Sequence, residues 1–520
     1  MIGLKNHGRL NAYGILSDHN QTRWALALKG ILSGLAAGLL VVQFRWCMEF
    51  GLEKSVAIYA YLRLHPLALI PWAGLIAAVG LAVARLIRFE PMACGSGIPQ
   101  VEGMVIHGMK IRSWSVLAVR FLGGILTSFF GLSLGREGPS IQIGAASSQI
   151  VARKTCSNKM EKNYLITAGA AAGLSAAFGA PLSGIMFALE EVHRSFSGLI
   201  LLTATAASLT SSVLATLVFG LKPILSFTQT PQLLPGMFVW LLPVGVISGL
   251  AGALINKSLL GMQTLYGRLP AKIRPALALL AALPFGLFLP QVMGGGMELI
   301  NTAEMAKTGI PLLLLFLAAK LLFTCTSFGS GVPGGIFLPI LSIGAITGSV
   351  IGLIATRFGL PASHVADFAI CGMAGALSGS VKAPVTSILL TAEMTGSLVH
   401  LFPVAACSFL ALFVSDFFKV KPIYEELLER TLKDRGEAVS GGKPGSIVEI
   451  PVEAGSAIAG KKIGGVELPK GILIVGIHRG DTDIVPNGAT QIKPGDYLIV
   501  LSSELAFREA NRRMRSLCSA

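Results

Sequence analysis

Long apolar stretches broken by glycine and proline dominate the chain up to about residue 420. Residues 163–189, 195–221 and 223–256 contain no Asp, Glu, Lys or Arg. A membrane-spanning helix needs ~20 mostly apolar residues, so each stretch is long enough to cross. Further apolar runs cover about 24–44, 66–83, 113–134, 309–327, 334–356 and 398–415. Several are too short or too broken to be simple spans, which predicts more helices than full crossings. After about residue 420 the pattern changes. Residues 421–445 hold ten charged residues in 25, a helical end followed by a linker. Residues 446–520 alternate short apolar runs with turn signals: SIVEIPV, GILIVGIHR, Pro486-Asn487-Gly488, Lys493-Pro494-Gly495-Asp496 and YLIVLSS. This predicts a small β-rich soluble domain that closes with a short helix near Glu504–Arg515. The expected organisation is a cytosolic segment over 1–23, a transmembrane domain over 24–420, a terminal helix and linker over 421–445, and a cytosolic α+β domain over 446–520.

Composition sharpens this picture. Of the 520 residues, 53% are hydrophobic and only 13% charged, against ~25% charged in soluble proteins. That argues against a soluble enzyme and against a disordered or disulfide-framework chain. The net charge of +15 would suggest nucleic acid in a soluble protein. Here the basic residues sit in short loops, as Arg153, Lys154, Lys159 and Lys162 do. They read as cytoplasmic loops obeying the positive-inside bias, with no nucleic-acid partner. The seven cysteines are scattered without metal spacing, so no metal and no cofactor is expected.

The membrane part repeats itself. Residues 169–190 lie on residues 372–393 without a gap, with eight of 22 positions identical. Ala180-Pro181 falls on Ala383-Pro384 and Glu190 on Glu393. Upstream, 135–139 lies on 335–339, with Gly144 on Gly344. Duplication with interrupted helices in matching places marks a transporter whose site lies between the repeats. The fold class expected is an all-α polytopic, inverted-repeat bundle with broken helices.

Three glycine-rich breaks carry the chemistry: Gly95-Ser96-Gly97-Ile98-Pro99, Gly135-Arg136-Glu137-Gly138-Pro139, and the run from Gly329 to Pro339 that includes Ile336 and Phe337. Proline fits the first turn of a helix and glycine frees the backbone before it. Each break reads as a helix N-terminus inside the membrane, where unpaired N–H groups favour an anion. Glu137 stands within one break, where its carboxylate would mimic the anion when ionised and leave when protonated. Glu190 and Glu191 close a long uncharged stretch, either as intramembrane functional groups or as a helix end at the interface. Lys320 reads as snorkelling or paired with a carboxylate, and Lys382 as a loop charge.

In this order and spacing, GSGIP, GREGP and GSGVPGGIFLP resemble the selectivity-filter motifs of the CLC family of chloride channels and chloride/proton antiporters. ALEEV at 188–192, AEMTG at 392–396 and Tyr424 extend the resemblance over about residues 24–430. It implies a CLC-type bundle in which Ser96, Tyr424 and the N–H groups of Ile336 and Phe337 bind chloride. It implies that Glu137 is the gating glutamate and Glu191 the inner proton acceptor. Arg136, Glu102 and Glu190 would support them. It also implies a homodimer with one pathway per subunit, in a bacterial inner membrane with the C-terminal domain cytoplasmic. Glu191 favours antiport, because the family's passive channels usually lack it; Ser96 favours chloride.

Residues 446–520 resemble the RCK-C or TrkA-C domains of potassium transport regulators. The carrying residues are Gly460-Lys461, Leu468-Pro469, Ile477-His478-Arg479, Ile484-Val485-Pro486 and Lys493-Pro494-Gly495-Asp496. That implies a regulatory domain with a small cytosolic ligand such as a cyclic dinucleotide. His478 or Arg479 could touch a phosphate, or simply end a solvated strand. The sequence therefore predicts a chloride/proton antiporter and no enzyme. The alternatives are a passive chloride channel and, distantly, an intramembrane hydrolase using Ser330. A serine nucleophile needs a positioned base, and none of the eight histidines lies mid-run.

Overall fold

The computed structural model describes residues 12–156, 159–221, 223–225, 227, 233–434, 446–453, 455–468, 471–479, 482–502, 514 and 516–518. The chain forms two compact units, Met1–Thr431 and Leu432–Ala520. The expected helix near Glu504–Arg515 falls largely outside the described residues.

The first repeat runs through α1 (Ala12–Leu64), α2 (Leu69–Phe89), α3 (Ile98–Ile106), α4 (Ser113–Phe129), α5 (Glu137–Thr155), α6 (Lys159–Phe178), α7 (Pro181–Phe187) and α8 (Gly198–Phe219). The second follows as α9 (Leu241–Gly267), α10 (Arg274–Phe288), α11 (Met297–Glu304), α12 (Ile310–Gly329), α13 (Phe337–Thr356), α14 (Val365–Val381), α15 (Pro384–Thr395) and α16 (Leu401–Phe417). Helix α17 (Ile423–Asp434) comes last. Among the described residues only seven helical stretches are long and apolar enough to cross a membrane. The helices outnumber them, as the interrupted runs predict. Helix α1 differs from expectation: it continues to Leu64, well past the apolar run that ends near residue 44.

Packing repeats along with the sequence. Helix α5 packs on α6 as α13 packs on α14, and α6 meets α8 as α14 meets α16. The halves also meet through equivalents, α2 with α10 and α7 with α15. Two contacts fix this pairing. Gly135 and Gly335, counterparts in the repeat, exchange both backbone hydrogen bonds at 2.8 Å as an antiparallel bridge. Glu393 accepts hydrogen bonds from the N–H groups of Leu182 (3.0 Å) and Ser183 (2.7 Å) at the start of α7. Its counterpart Glu190 accepts from Val385 (3.2 Å) and Thr386 (2.8 Å) at the start of α15. Each glutamate thus caps the other repeat's proline-initiated helix, where orphan N–H groups attract a carboxylate. The repeats are inverted and interlocked.

Close packing of small side chains holds the bundle. Helix α14 is buried along its whole length. Helix α5 is buried from Glu137 to Ser148. In a bilayer, where apolar surface gains nothing by leaving lipid, such backbone proximity and dispersion replace the hydrophobic drive.

The second unit is a four-stranded antiparallel sheet, ordered β1-β4-β2-β3, from β1 (Ser446–Pro451), β2 (Ile472–Arg479), β3 (Thr482–Ile484) and β4 (Tyr497–Ser502). Ile450, Ile474, Ile477, Ile492, Leu498 and Val500 form its core with Met514 and Cys518. Arg479 forks onto Asp496 through two hydrogen bonds of 2.8 Å. Burial raises the Asp496 pKa, but the Arg479 bonds and the Lys493 N–H outweigh it and hold the carboxyl below the usual range. Arg479 is therefore occupied within the domain and does not stand ready for a phosphate.

Candidate anion and proton site

All three glycine-rich breaks are helix starts. Gly97 precedes α3, Arg136 precedes α5 and Ile336 precedes α13. Backbone bonds draw the loops together: the Gly95 N–H donates to Gly331 at 3.2 Å, and the Gly334 N–H to Gly95 at 3.1 Å. The Gly135–Gly335 bridge joins the other two breaks. Glycine is required where they touch. A Cβ on Gly138 would stand 2.5 Å from both the carbonyl oxygen and the hydroxyl of Ser96. A Cβ on Gly335 would stand 2.9 Å from the Gly138 nitrogen. The starts of α3, α5 and α13 therefore meet at one place.

The side chains there are buried and polar. Ser96 is 2% exposed, and Glu137 and Tyr424 are 0% exposed. The Ser96 and Tyr424 hydroxyls face each other, and neither is bonded to any other protein group. The Glu137 carboxylate has no side-chain hydrogen-bond partner, and the backbone N–H groups of Arg136, Glu137 and Leu338, at the starts of α5 and α13, face it. The Tyr424 ring stacks on Phe337, with centroids 6.4 Å apart and planes 9° from parallel. Phe337 in turn meets Phe187 edge-on at 5.8 Å. Orphan buried polar groups are costly. Two hydroxyl donors beside helix N-termini would be satisfied by a small anion.

A second cluster lies towards the cytoplasm. Helix α6 begins at the basic loop, and His193 Nδ1 lies 2.9 Å from the Thr167 hydroxyl of that helix. Eight residues separate Lys159 from Thr167, or ~12 Å along a helix. Residues Ala188–His193 form a π-helical turn, a local widening often found at functional sites. It turns Glu191 inward: this carboxylate is 4% exposed and its Oε1 has no partner. Glu102 lies beside it, 1% exposed, and pairs with Arg194 at 2.8 Å. Arg194 also reaches Glu425 at 3.3 Å. Tyr424 and Glu425, adjacent on α17, thus face the anion site and the carboxylate cluster respectively. The Glu190 carboxylate caps α15, and its charge acts on the neighbouring Glu191.

Buried cations brace the loops. Arg120 is 0% exposed and donates to Gln142 and to the Gly95 carbonyl, both at 2.5 Å. In the register that sets Gly135 on Gly335, Arg120 falls on Lys320. Lys320 is also 0% exposed and donates to the carbonyls of Val292 (3.0 Å) and Gly294 (2.8 Å). It neither snorkels nor forms an ion pair: its ammonium is satisfied by backbone. The Gly294 carbonyl belongs to a fourth glycine break, Gly294-Gly295-Gly296, with positive φ at Gly294 and Gly296 as at Gly95 and Gly97. Arg120, Arg194 and this fourth break are absent from the sequence reading. A lone arginine within an apolar run and a Gly-Gly-Gly before a short helix were the available signals. Lys382 pairs with Asp416 at 2.5 Å in a loop, as a loop charge should. Ser330 donates to the Ser327 carbonyl at 2.7 Å, which leaves it no serine–histidine geometry.

An inverted repeat of broken helices, with N-termini gathered around orphan hydroxyls, defines a multi-pass membrane transport protein built around a small anion. The family model described as voltage gated chloride channel matches residues 73–416, and a TrkA-C domain matches residues 447–514. The chain belongs to the voltage-gated chloride channel (CLC) family. It is 35% identical over 443 residues to an H(+)/Cl(-) exchange transporter ClcA of Cronobacter sakazakii, covering 80% of this chain and 92% of the relative. A ClcA of Citrobacter koseri is 36% identical over 437 residues, covering 80% and 91%. Among solved structures, a slow cyanobacterial Cl-/H+ antiporter matches with TM-score 0.75 and 30% identity, over 79% of this chain and 99% of that one. A CLC-type fluoride/proton antiporter matches with TM-score 0.63 and 27% identity, over 77% and 96%. The chain is an integral protein of the bacterial inner membrane with a soluble C-terminal domain.

Proposed function

We propose that the chain exchanges chloride for protons across this membrane, with Ser96, Tyr424 and the N–H groups of Ile336 and Phe337 as the chloride ligands. The observation that carries this reading is the Glu137 carboxylate, fully buried and facing the N–H groups at the starts of α5 and α13, beside the buried Ser96 and Tyr424 hydroxyls. Ionised, Glu137 competes with chloride for the same N–H groups. Protonated, it loses that attraction and yields the site. One side chain then couples the two ions, because occupancy by chloride requires that a proton be carried. Glu191 receives protons from the cytoplasmic side, and Glu102, Arg194 and Glu425 set the charge around it. Arg136 flanks Glu137. The protein acts as a homodimer with one pathway in each subunit.

Anion selectivity follows from the donor set. Ser96→Pro removes a hydroxyl and a backbone N–H from the first break. We expect preference to shift from chloride towards nitrate by about tenfold, the loss of one charge-assisted hydrogen bond. Coupled nitrate and chloride fluxes measure it, and an unchanged ratio means that Ser96 does not face the ion.

Residues 446–520 regulate transport by binding a small cytosolic ligand, with a cyclic dinucleotide as the first candidate. Every proposed ligand of chloride lies before this domain. A chain ending near residue 440 should therefore still exchange chloride for protons, and should lose any response to the ligand. Chloride efflux with and without cyclic di-AMP, from full-length and shortened protein, tests this. A shortened protein that is stable but inactive makes the tail part of the transport machinery instead.

A further inference from the structure

The approach to Glu137 from the non-cytoplasmic side carries a charge arrangement that the exchange mechanism does not use. Helix α4 starts near the basic cytoplasmic loops, where Arg153 bonds the Ile111 carbonyl, and runs outward to Phe129. The chain then returns inward through Gly135 and Arg136 to Glu137, so Arg136 lies on the outer side of the gate. A cavity of about 370 Å³ opens there, lined by Glu49, Gly135, Arg136, Glu298 and Leu338 among others. Arg136 is 8% exposed, and its Nη1 is ion-paired with the carboxylate of Glu49. Its Nε is buried and has no hydrogen-bond partner. Glu49 is anchored by a second arginine of α1: the Arg45 Nε donates to it at 3.1 Å. Arg45 is itself pinned over the Phe219 ring at 3.9 Å. Glu298 lies exposed on the same cavity.

We propose that Glu49 sets how readily an anion enters from the non-cytoplasmic side, by occupying the guanidinium of Arg136 that the anion would otherwise meet first. The inference rests on the anion-exchange reading above. Arg136, Glu49 and Glu298 line the cavity and Arg45 stands behind Glu49, off its wall, so the four charges balance. Glu49, held by Arg45, keeps Arg136 committed to a protein carboxylate. Each arriving chloride must compete with that carboxylate for the guanidinium that lines the outer cavity. Removing the charge of Glu49 leaves a net positive mouth and a free guanidinium, which concentrates anions locally. Glu49 is thus a positioning residue for anion entry and takes no part in the proton route.

The test is unidirectional uptake of radiolabelled chloride into oriented proteoliposomes, with chloride varied only on the non-cytoplasmic side. Glu49→Gln should lower the KM for that chloride by about three- to tenfold, the effect of one unit charge ~4 Å away at the water-like dielectric of an open, hydrated mouth. The number of protons moved per chloride should not change. Glu298→Gln alters the cavity's charge equally without touching the Arg136 pair, and should move KM much less. Glu49→Asp keeps the charge but shortens the arm, and should give an intermediate KM; it decides the question if the Gln variant is not recovered folded. An unchanged KM in Glu49→Gln with wild-type exchange intact overturns the proposal and leaves the anion-exchange reading standing. So does an equal fall in Glu298→Gln, which would mean that cavity charge acts and not the hold on Arg136. A changed proton-to-chloride ratio also overturns it, by placing Glu49 on the proton path. Absence of chloride-driven proton movement in the wild-type protein would instead remove the reading beneath it.

Discussion

Glu137→Gln is expected to abolish proton coupling while chloride still crosses. Its amide matches the neutral form of the side chain, so it can neither compete with chloride for the α5 N-terminus nor carry a proton. Proton movement driven by a chloride gradient should fall by at least ~100-fold, the lower range of what a positioned proton-transfer group contributes. Glu137→Ala should behave alike in coupling. The alanine variant also removes the side chain folded against Gly135 and Gly335, so chloride should pass at least as freely as in the Gln variant. Parallel recordings of chloride efflux and external pH from proteoliposomes separate the two ions. Uphill proton movement that survives either substitution removes Glu137 from the role.

Glu191→Gln is expected to give a different phenotype from a similar chemical change. This carboxylate lies in the cytoplasm-facing cluster with Glu102 and Arg194, and not among the helix starts that meet at Ser96. Proton transport should again fall ~100-fold or more, while the chloride Kd changes by less than ~5-fold, under ~1 kcal/mol. Calorimetric titration of chloride alongside proton flux provides both numbers. Loss of chloride binding in a folded variant would place Glu191 in the anion site or in its direct support.

These two residues also show what a single sequence exposes. The breaks around Ser96, Glu137 and Phe337 were legible because intramembrane helix starts need both proline's fixed φ and glycine's freedom, and both leave letters in the chain. The duplication was legible because Glu190 and Glu393 cap each other's partner helix, so the same carboxylate is needed twice. The fourth break at Gly294–Gly296 was not legible as a counterpart of Gly95–Gly97. It lacks the proline, so only the backbone φ values reveal it. Arg120 and Lys320 were hard to place for another reason. A buried cation satisfied by carbonyls has no acidic partner in the sequence to announce it. The pairing of Arg194 with Glu102, and of Arg136 with Glu49, joins residues 92 and 87 positions apart, which no periodicity connects. For the small domain, the strands and turns were legible from alternation and turn residues, whereas the order β1-β4-β2-β3 and its register depend on contacts distant in sequence. The fork of Arg479 onto Asp496 depends likewise on how β2 and the turn before β4 come together.

The most direct test of the account is chloride-driven proton movement by the purified full-length protein in liposomes. A chloride gradient is imposed with no initial pH difference, and external pH is followed. Coupled exchange predicts that chloride moving down its gradient drives protons the opposite way, building a pH difference that collapses with a protonophore. Chloride flux with no accompanying proton movement would contradict exchange and make the protein a passive anion channel.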